Sequence, residues 1–371
     1  MRISSLVSRI GKKVPFKLAE KWDNVGLTIG EGSVELAAVV VCLDLTDEVI
    51  DYAKKVSANL IISHHPLIFG SINSINPNTL TGSLIYRLIR ENINLLVLHT
   101  NFDKSDYNSS YKLASQLGLA TIHPLHITDH EYLHKIAVFV PGDDLEKVKK
   151  AMSDAGAGVL GNYSECAYML EGFGEFRGNE NSNPATGSPL KLERVEETRL
   201  EMIFPESIMS QVVEAMKNSH PYEEPAYDVY QLKNISRHYG YGVYGDLSKP
   251  LSAEEFTARI KHVFGETEPF LKIGTAPARI KKVALVNGSG FEFHKDAAEK
   301  KCDVFLTGDI SYHRACELKY KGLFTIDCTH FATEKNFVNC VSDLLNEINN
   351  EAKWTINYYP ADCLKNPMER I

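Results

Sequence analysis

Apolar and polar positions follow two periods along this chain, and the change of period divides it into three parts. In the first third, unbroken apolar runs at Val39 to Leu43, Leu60 to Ile62 and Leu95 to Leu98 predict buried strands. Helical spacing lies between them. Val49, Ile50, Ala53 and Val56 give one buried face to a helix over 44–57, and a second helix is predicted over 81–92. Ahead of these, Ile3, Leu6, Val7 and Ile10 share one side of a helix ending near Gly11. Residues 18–27 read as a polar-aromatic loop leading to a short strand, with Asp23 and Asn24 as turn formers. Strands alternating with helices at these lengths predict a mainly parallel α/β sheet.

The middle third differs. It reads as a strand (136–140), a helix (144–155), a strand (199–204), a helix (206–218) and a strand ending near Leu232, with hairpin material between. Gly172 to Pro189 is dense in Gly, Asn, Ser and Pro and is expected to be a flexible loop. The order β-α-β-β-α-β is that of a ferredoxin-like α+β module, expected as an inserted domain over 128–234, because insertion at a surface loop is tolerated. After Arg237 the α/β pattern resumes. Strands are predicted at 283–286, 304–306 and 324–326. Helices are predicted over 291–301, around His313 and Ala315, and in a long final segment from about His330 that carries Glu334, Phe337, Val341 and Leu345. The apolar columns of Leu60 to His65 and Val304 to Asp309 match. The fold expected is therefore two related α/β halves, 1–127 and 235–371, forming one core domain around a shared cleft.

Composition narrows the function. A length of 371 residues suggests about two domains. The formal net charge of −8 offers no basic face for nucleic acid. Seven cysteines, an odd number with no CxxC pair (Cys42, Cys166, Cys302, Cys316, Cys328, Cys340 and Cys363), fit reduced thiols in a cytoplasmic setting. No apolar run reaches the ~18–20 residues of a membrane span. Met1 to Ala19 has no acid and carries Arg2, Arg9, Lys12, Lys13 and Lys17, as a mitochondrial transit peptide would. It runs into a domain without a spacer, which favours the amphipathic first helix.

The candidate chemistry gathers at strand ends, where α/β sheets collect functional groups. His64 and His65 end one predicted strand, and His99 to Asp103 follow another. His330 and Glu334 are four apart at a helix start and share one face. His64, His65, Asp103, His330 and Glu334 supply three imidazoles and two carboxylates, enough for two divalent ions if a carboxylate bridges them. Mixed nitrogen and oxygen donors suit zinc, iron or manganese better than calcium. Water bound to such an ion ionises near pH ~7, so the site would be hydrolytic. His99, Asp309 and His313 lie at similar positions and are candidates to move protons or orient ligands. The loop Asn287-Gly288-Ser289-Gly290 could cradle a phosphate but reads better as a plain turn. Tyr222, Glu223, Glu224 and Tyr227 could contact a ligand or partner, or serve a Pro-flanked turn.

Several of these stretches together carry a family likeness. Trp22 to Leu27, Ser63 to Leu67, His99-Thr100-Asn101, Leu306 to Asp309 with Tyr312-His313, and His330 to Glu334 resemble the GTP cyclohydrolase I type 2 family, also called the NIF-three-like family. His220 to Asp228 (HPYEEPAYD) is similar to the marker of its longer members, which carry a PII/CutA-like insert. The resemblance spans nearly the whole chain. It implies a dinuclear metal centre on His64, His65, Asp103, His330 and Glu334, and homohexamers arranged as a toroid with sites facing an internal cavity. It also implies a purine nucleotide substrate: metal-bound hydroxide would attack C8 of GTP, releasing formate and giving dihydroneopterin triphosphate. The alternative is a non-catalytic metal-binding or regulatory protein whose insert senses a ligand or docks a partner. Two positions depart from the pattern. Phe102 stands where Leu is frequent, and Thr329, where Gly is usual, adds a β-carbon at a tight strand-to-helix turn.

Overall fold

A computed structural model describes residues 1–266, 268–361 and 366–368 and divides into two compact units, Met1–Asp129 with Tyr239–Ile371, and His130–His238. Cys363 lies outside the described residues; the other six cysteines are free thiols. Among the described residues, no helix is long and apolar enough to cross a membrane.

The first unit opens with helix α1 (Ile3–Lys13), which buries Ile3, Leu6 and Ile10, and strand β1 (Gly26–Ile29). Strands β2 (Val39–Cys42), β3 (Leu60–Ser63) and β4 (Asn94–Val97) are buried at every position. Such runs belong to parallel strands covered on both faces, and these three pair in parallel, with β1 antiparallel at the edge. Side-chain alternation sorts the core into two layers. Val39, Val41, Leu60 and Ile62 pack with α1, while Val40, Cys42 and Ile61 pack with the connecting helices α2 (Asp47–Lys55) and α3 (Leu80–Arg90). A short helix α4 (Thr100–Asp103) and helix α5 (Ser109–Gln116) follow β4.

The second unit contains about half of each of two long strands, β5 (Leu119–Pro141) and β8 (Tyr227–Leu251), together with β6 (Ala167–Arg177) and β7 (Leu192–Pro205). Helices α6 (Leu145–Asp154) and α7 (Met209–Ser219) place Val148, Met152, Val212 and Met216 against Ile136, Val138, Leu200 and Met202. Gly172 to Arg177, expected in a flexible loop, is strand: β6 pairs antiparallel with β7 as far as Arg177 opposite Leu192. The ladder overrides the glycine-rich composition. The strand expected to end near Leu232 instead continues to Leu251.

Back in the first unit come α8 (Ala253–Phe264), strands β9 (Leu271–Ile273), β10 (Ile280–Leu285), β11 (Val304–Thr307) and β12 (Thr325–Asp327), and helices α9 (His294–Glu299) and α10 (Tyr312–Lys321). β10, β11 and β12 pair in parallel, and β9 runs antiparallel beside β12. The expected long final helix is two: α11 (His330–Glu334) and α12 (Phe337–Ala352), broken at 335–336. Strand β13 (Tyr358–Pro360) pairs in parallel with β2.

A polar tie joins α1 to α12. Lys13 lies 2.6 Å from Glu347 and 2.7 Å from Glu351, and the Tyr107 hydroxyl donates to Glu347 at 2.9 Å. Partial burial raises the Glu347 carboxyl, but Lys13 and Tyr107 outweigh it and hold the group below its ordinary 4.5. Its contribution is therefore full above the unfolded value and is lost as pH falls through the lower folded value. Glu347→Gln should cost about 0.5–1 kcal/mol at neutral pH, a small figure because solvent screens such pairs. The stability gap between wild type and variant should shrink as pH is lowered below 4.5, and a gap that persists unchanged through acid titration would sink the assignment.

Candidate metal centre

The cleft of the first unit, about 990 Å³, lies where parallel strands end. His64 and His65 follow β3 directly, and their ring centroids are 5.0 Å apart. His99 precedes α4, whose last residue is Asp103. His330 starts α11 and Glu334 ends it one turn later, so both side chains face the same way. His64, Asp103 and Glu334 are buried. Three overlapping groups have donor atoms within 4.8 Å of one another and could hold metal ions: His64, Asp103 and Glu334; His65, His330 and Glu334; and His64, His65 and His99.

All four imidazoles are anchored through Nδ1. His64 Nδ1 donates to the Leu98 carbonyl at 2.9 Å, which leaves a lone pair on Nε2 when the ring is neutral. His65 Nδ1 meets Asp44 at 2.7 Å, His99 Nδ1 meets Asp23 at 3.0 Å, and His330 Nδ1 meets Asp309 at 2.7 Å. Such partners fix ring orientation and tautomer and raise donor basicity. The carboxylates are held as well. Asn287 donates to Asp103 Oδ1 at 2.8 Å, and Ser110 donates to Asn287 at 2.7 Å.

The donor set fits a cation on one observation in particular. Among the described residues, the buried His64 Nε2 has no hydrogen-bond partner. It stands 3.7 Å from Asp103 Oδ1 and 3.7 Å from Glu334 Oε1, too far to bond either. A tetrahedral ion with bonds of ~2.1 Å spaces its ligands ~3.4 Å apart, close to this arrangement. Gly288 permits it: at φ +62°, a β-carbon there would sit 2.2 Å from Glu334 Oε1.

The sequence matches the Duf34/NIF3 (NGG1p interacting factor 3) family over residues 1–367. The chain belongs to this family. A Staphylococcus aureus protein named GTP cyclohydrolase 1 type 2 homolog is 36% identical over 333 residues, 90% of each chain. Among solved structures, a Bacillus cereus protein related to NIF3 superposes with a TM-score of 0.90 at 34% identity, covering 100% of this chain and 99% of that one. A Staphylococcus aureus structure gives 0.72 at 31% identity with the same coverage.

The electrostatics of this NIF3 site favour positive charge. Burial pushes the His64 imidazole down, yet Asp103 and Glu334 outweigh it and the group titrates above its ordinary value. The same contest, won by Asp44 and Glu334, raises His65 to about 10, and one won by Glu334 and Asp309 raises His330 to about 9. Burial would raise Glu334, but the surrounding imidazoles hold it well below the usual carboxylate range. Asp103 goes the other way, because burial and the Glu334 charge outweigh His64.

The structure brings His64, His65, His99, Asp103, Asp309, His330 and Glu334 to one cleft or its wall. It does not bring His313, which is exposed on the first turn of α10 against its neighbour Tyr312 and does not line the cleft. Asp23 is more than a turn former. Its side chain is buried and accepts from His99 and from the backbone and hydroxyl of Thr100. Burial raises its carboxyl, and these bonds bring it below normal. The Asn287 loop offers little to a phosphate, since the amides of Asn287, Gly288 and Gly290 donate to Ser110, Thr333 and Thr307. Asp44 was not anticipated, although it lies just past β2 much as His64 follows β3, and the strand-end rule reaches it too. Thr329 keeps φ +66°, strained for a β-branched residue, while its hydroxyl caps α11 by accepting from Ala332.

Asn287→Ala releases Asp103 without removing a donor. It should weaken divalent-ion binding by about 10–100-fold, read by competition with a chromophoric chelator, and lower the melting temperature modestly, because the buried Ser110 hydroxyl loses its acceptor. An unaltered affinity would show that Asp103 needs no holder.

Proposed function

We propose that the cleft is the active site of a hydrolase that works with two divalent ions. The observation that carries this is the shared carboxylate. Glu334 turns Oε1 towards His64, and Oε2 towards His65 at 3.0 Å and His330 at 2.8 Å. It thus belongs to two donor groups at once, as a bridging carboxylate would. Each group then has three protein donors, the number that leaves a position open for water or substrate. Zinc fits this mixed set, and iron and manganese are also compatible with it. When bound, the ions would supply a water that ionises near neutral pH and a Lewis acid facing the substrate.

The chain's own residues do the rest. Asp44 and Asp309 hold the rings of His65 and His330, which makes Asp309 a positioning residue. His99 is left over once each group has its three donors. Held by Asp23, it presents Nε2 to take a proton from the attacking water or return one to the leaving group. The walls carry Trp22, Phe69, Leu80, Phe293 and Phe331, suited to a flat ring. Among the described residues the lining has no Lys or Arg, so the ring rather than a phosphate tail is what these side chains recognise. Opening of the GTP purine at C8 with loss of formate is the specific reading. Its support is the name carried by the relatives together with this aromatic lining. Self-association into hexamers is proposed on the resemblance alone, as is the ferredoxin-like character of the insert on its element order.

Metal-loaded protein incubated with GTP should release formate and develop pterin fluorescence, and Asp103→Ala should abolish both. A silent wild type, or a variant that matches it, eliminates the cyclohydrolase reading. His99→Gln should keep its ions and lose about 10²–10⁴-fold in turnover. Loss of ions instead would place His99 among the donors.

A second reading, a regulatory protein whose inserted unit senses a ligand, is favoured by a cavity within that unit. It predicts full metal content with no turnover of GTP, phosphoester or amide probes.

A further inference from the structure

The second unit holds a cavity of about 410 Å³, and nothing in the hydrolytic reading uses it. Phe139, Phe176 and Tyr222 form apolar walls, and Glu197, Glu223 and Glu224 bring carboxylates to the same space. Three of these belong to the HPYEEPAYD stretch, which the metal centre leaves unexplained.

The polar groups are placed by specific contacts. The Tyr222 hydroxyl donates to Glu197 Oε1 at 2.9 Å, so one carboxylate oxygen is fixed and the other, Oε2, receives no hydrogen bond from the described residues. The close approach of Glu197 to the opposite strand depends on Gly174, where a β-carbon would lie 2.1 Å from Oε2. Glu223 accepts from the Asn183 amide at 3.0 Å, which ties the 178–191 loop over the cavity to the 220–225 turn. The His220 side chain holds that turn in place: Nε2 donates to the Phe139 carbonyl at 2.9 Å and Nδ1 accepts from the Tyr222 amide at 3.1 Å.

Carboxylates beside aromatic faces attract cations. Spacing decides which kind. Among the described residues, the triads of donor side chains within 4.8 Å of one another all lie in the first unit's cleft, so the four glutamates that line this cavity, Glu175 included, are too dispersed for three of them to share a metal ion. The rings of this unit already draw organic cations: the Arg199 guanidinium lies 5.8 Å from the Phe139 centroid, and Arg194 lies 4.4 Å from that of Phe173. We propose that this cavity binds a small organic cation, an ammonium or guanidinium on an apolar body, with Glu197 Oε2 meeting the charge and Phe176 and Tyr222 packing on the body. Arg177, the one cationic side chain among the described lining residues, would set the polarity of the far end of the ligand. The proposal is independent of whether the cleft catalyses hydrolysis.

The test is calorimetric titration of the full-length protein with four probes: phenethylamine and agmatine as cations, 2-phenylethanol as a neutral analogue and 3-phenylpropionate as an anion. A cation should bind at least about 10-fold more tightly than its neutral analogue, a difference of about 1.4 kcal/mol. Glu197→Gln should remove that preference. Tyr222→Phe, which frees the carboxylate without removing it, should weaken it partially. Both variants should keep the divalent-ion content of wild type, which also reports that the fold is intact. Equal binding of cation and neutral probe, preferred binding of the anion, no binding of either cation at millimolar concentration, or full retention in Glu197→Gln would each overturn the proposal.

Discussion

The Glu334 carboxylate is the constraint around which this site is built. Its side chain is 6% exposed, and it is held ionised among the rings of His64, His65 and His330. A buried charge is tolerated only when nearby groups of opposite sign offset its lost hydration. Here those groups come from distant parts of the chain, at β3 and at α11, 269 residues apart. Every other feature of the cleft follows from making that convergence hold. Gly288 removes the β-carbon that would push Glu334 away, and Thr329 adopts a costly backbone conformation just before His330. Strain at that spot fits a functional turn better than a structural one.

The scaffold makes convergence possible because parallel strands end on one edge of their sheet. Continuous apolar runs bury β2, β3 and β4 on both faces, so their registers are fixed and their ends are fixed with them. The residues just past the strands inherit that rigidity. His64 is bonded to the carbonyl that follows β4, so one parallel strand orients the imidazole carried by the next. Phe102, also a departure from the usual pattern, packs beneath: its ring lies 4.8 Å from Phe337 and 6.1 Å from His64, giving the imidazole a firm floor.

Much of this was legible in the sequence, and the reasons are specific. The runs VVVC and LIIS announce buried strands, and the two histidines at the end of one point to chemistry only together with Asp103, His330 and Glu334 at similar positions, since an isolated pair reads as an ordinary turn. His330 and Glu334 could be paired by helical spacing without knowing where the helix sits. The supporting residues were harder to see. Asp44, Asp23 and Asn287 are types that dominate turns, and only three-dimensional proximity separates a turn former from a ring holder. His313 shows the opposite case: position near a strand end suggested chemistry, but the residue is exposed on the first turn of α10 and does not line the cleft. Glycine misled in β6, where Gly172 and Gly174 read as loop punctuation. In the ladder, Gly174 instead leaves room for the Glu197 carboxylate.

The cleft of the first unit and the cavity of the second use the same chemical vocabulary, carboxylates beside aromatic rings, and differ in spacing. In the cleft, oxygen and nitrogen donors crowd within a few ångströms, close enough for one compact ion to meet several of them at once. In the second unit the carboxylates stand farther apart, and Glu197 and Glu223 are each partly satisfied by a neighbour, so no three of them are close enough to meet one small ion. Coulomb energy falls with distance while ring contacts reward area. A dispersed acidic lining therefore selects a larger, softer cation, and a tight one selects a metal. On the two proposals together, an acidic chain of net charge −8 would offer a tight donor set to a metal ion and a dispersed one to an organic cation, so neither site would compete for the ligand of the other.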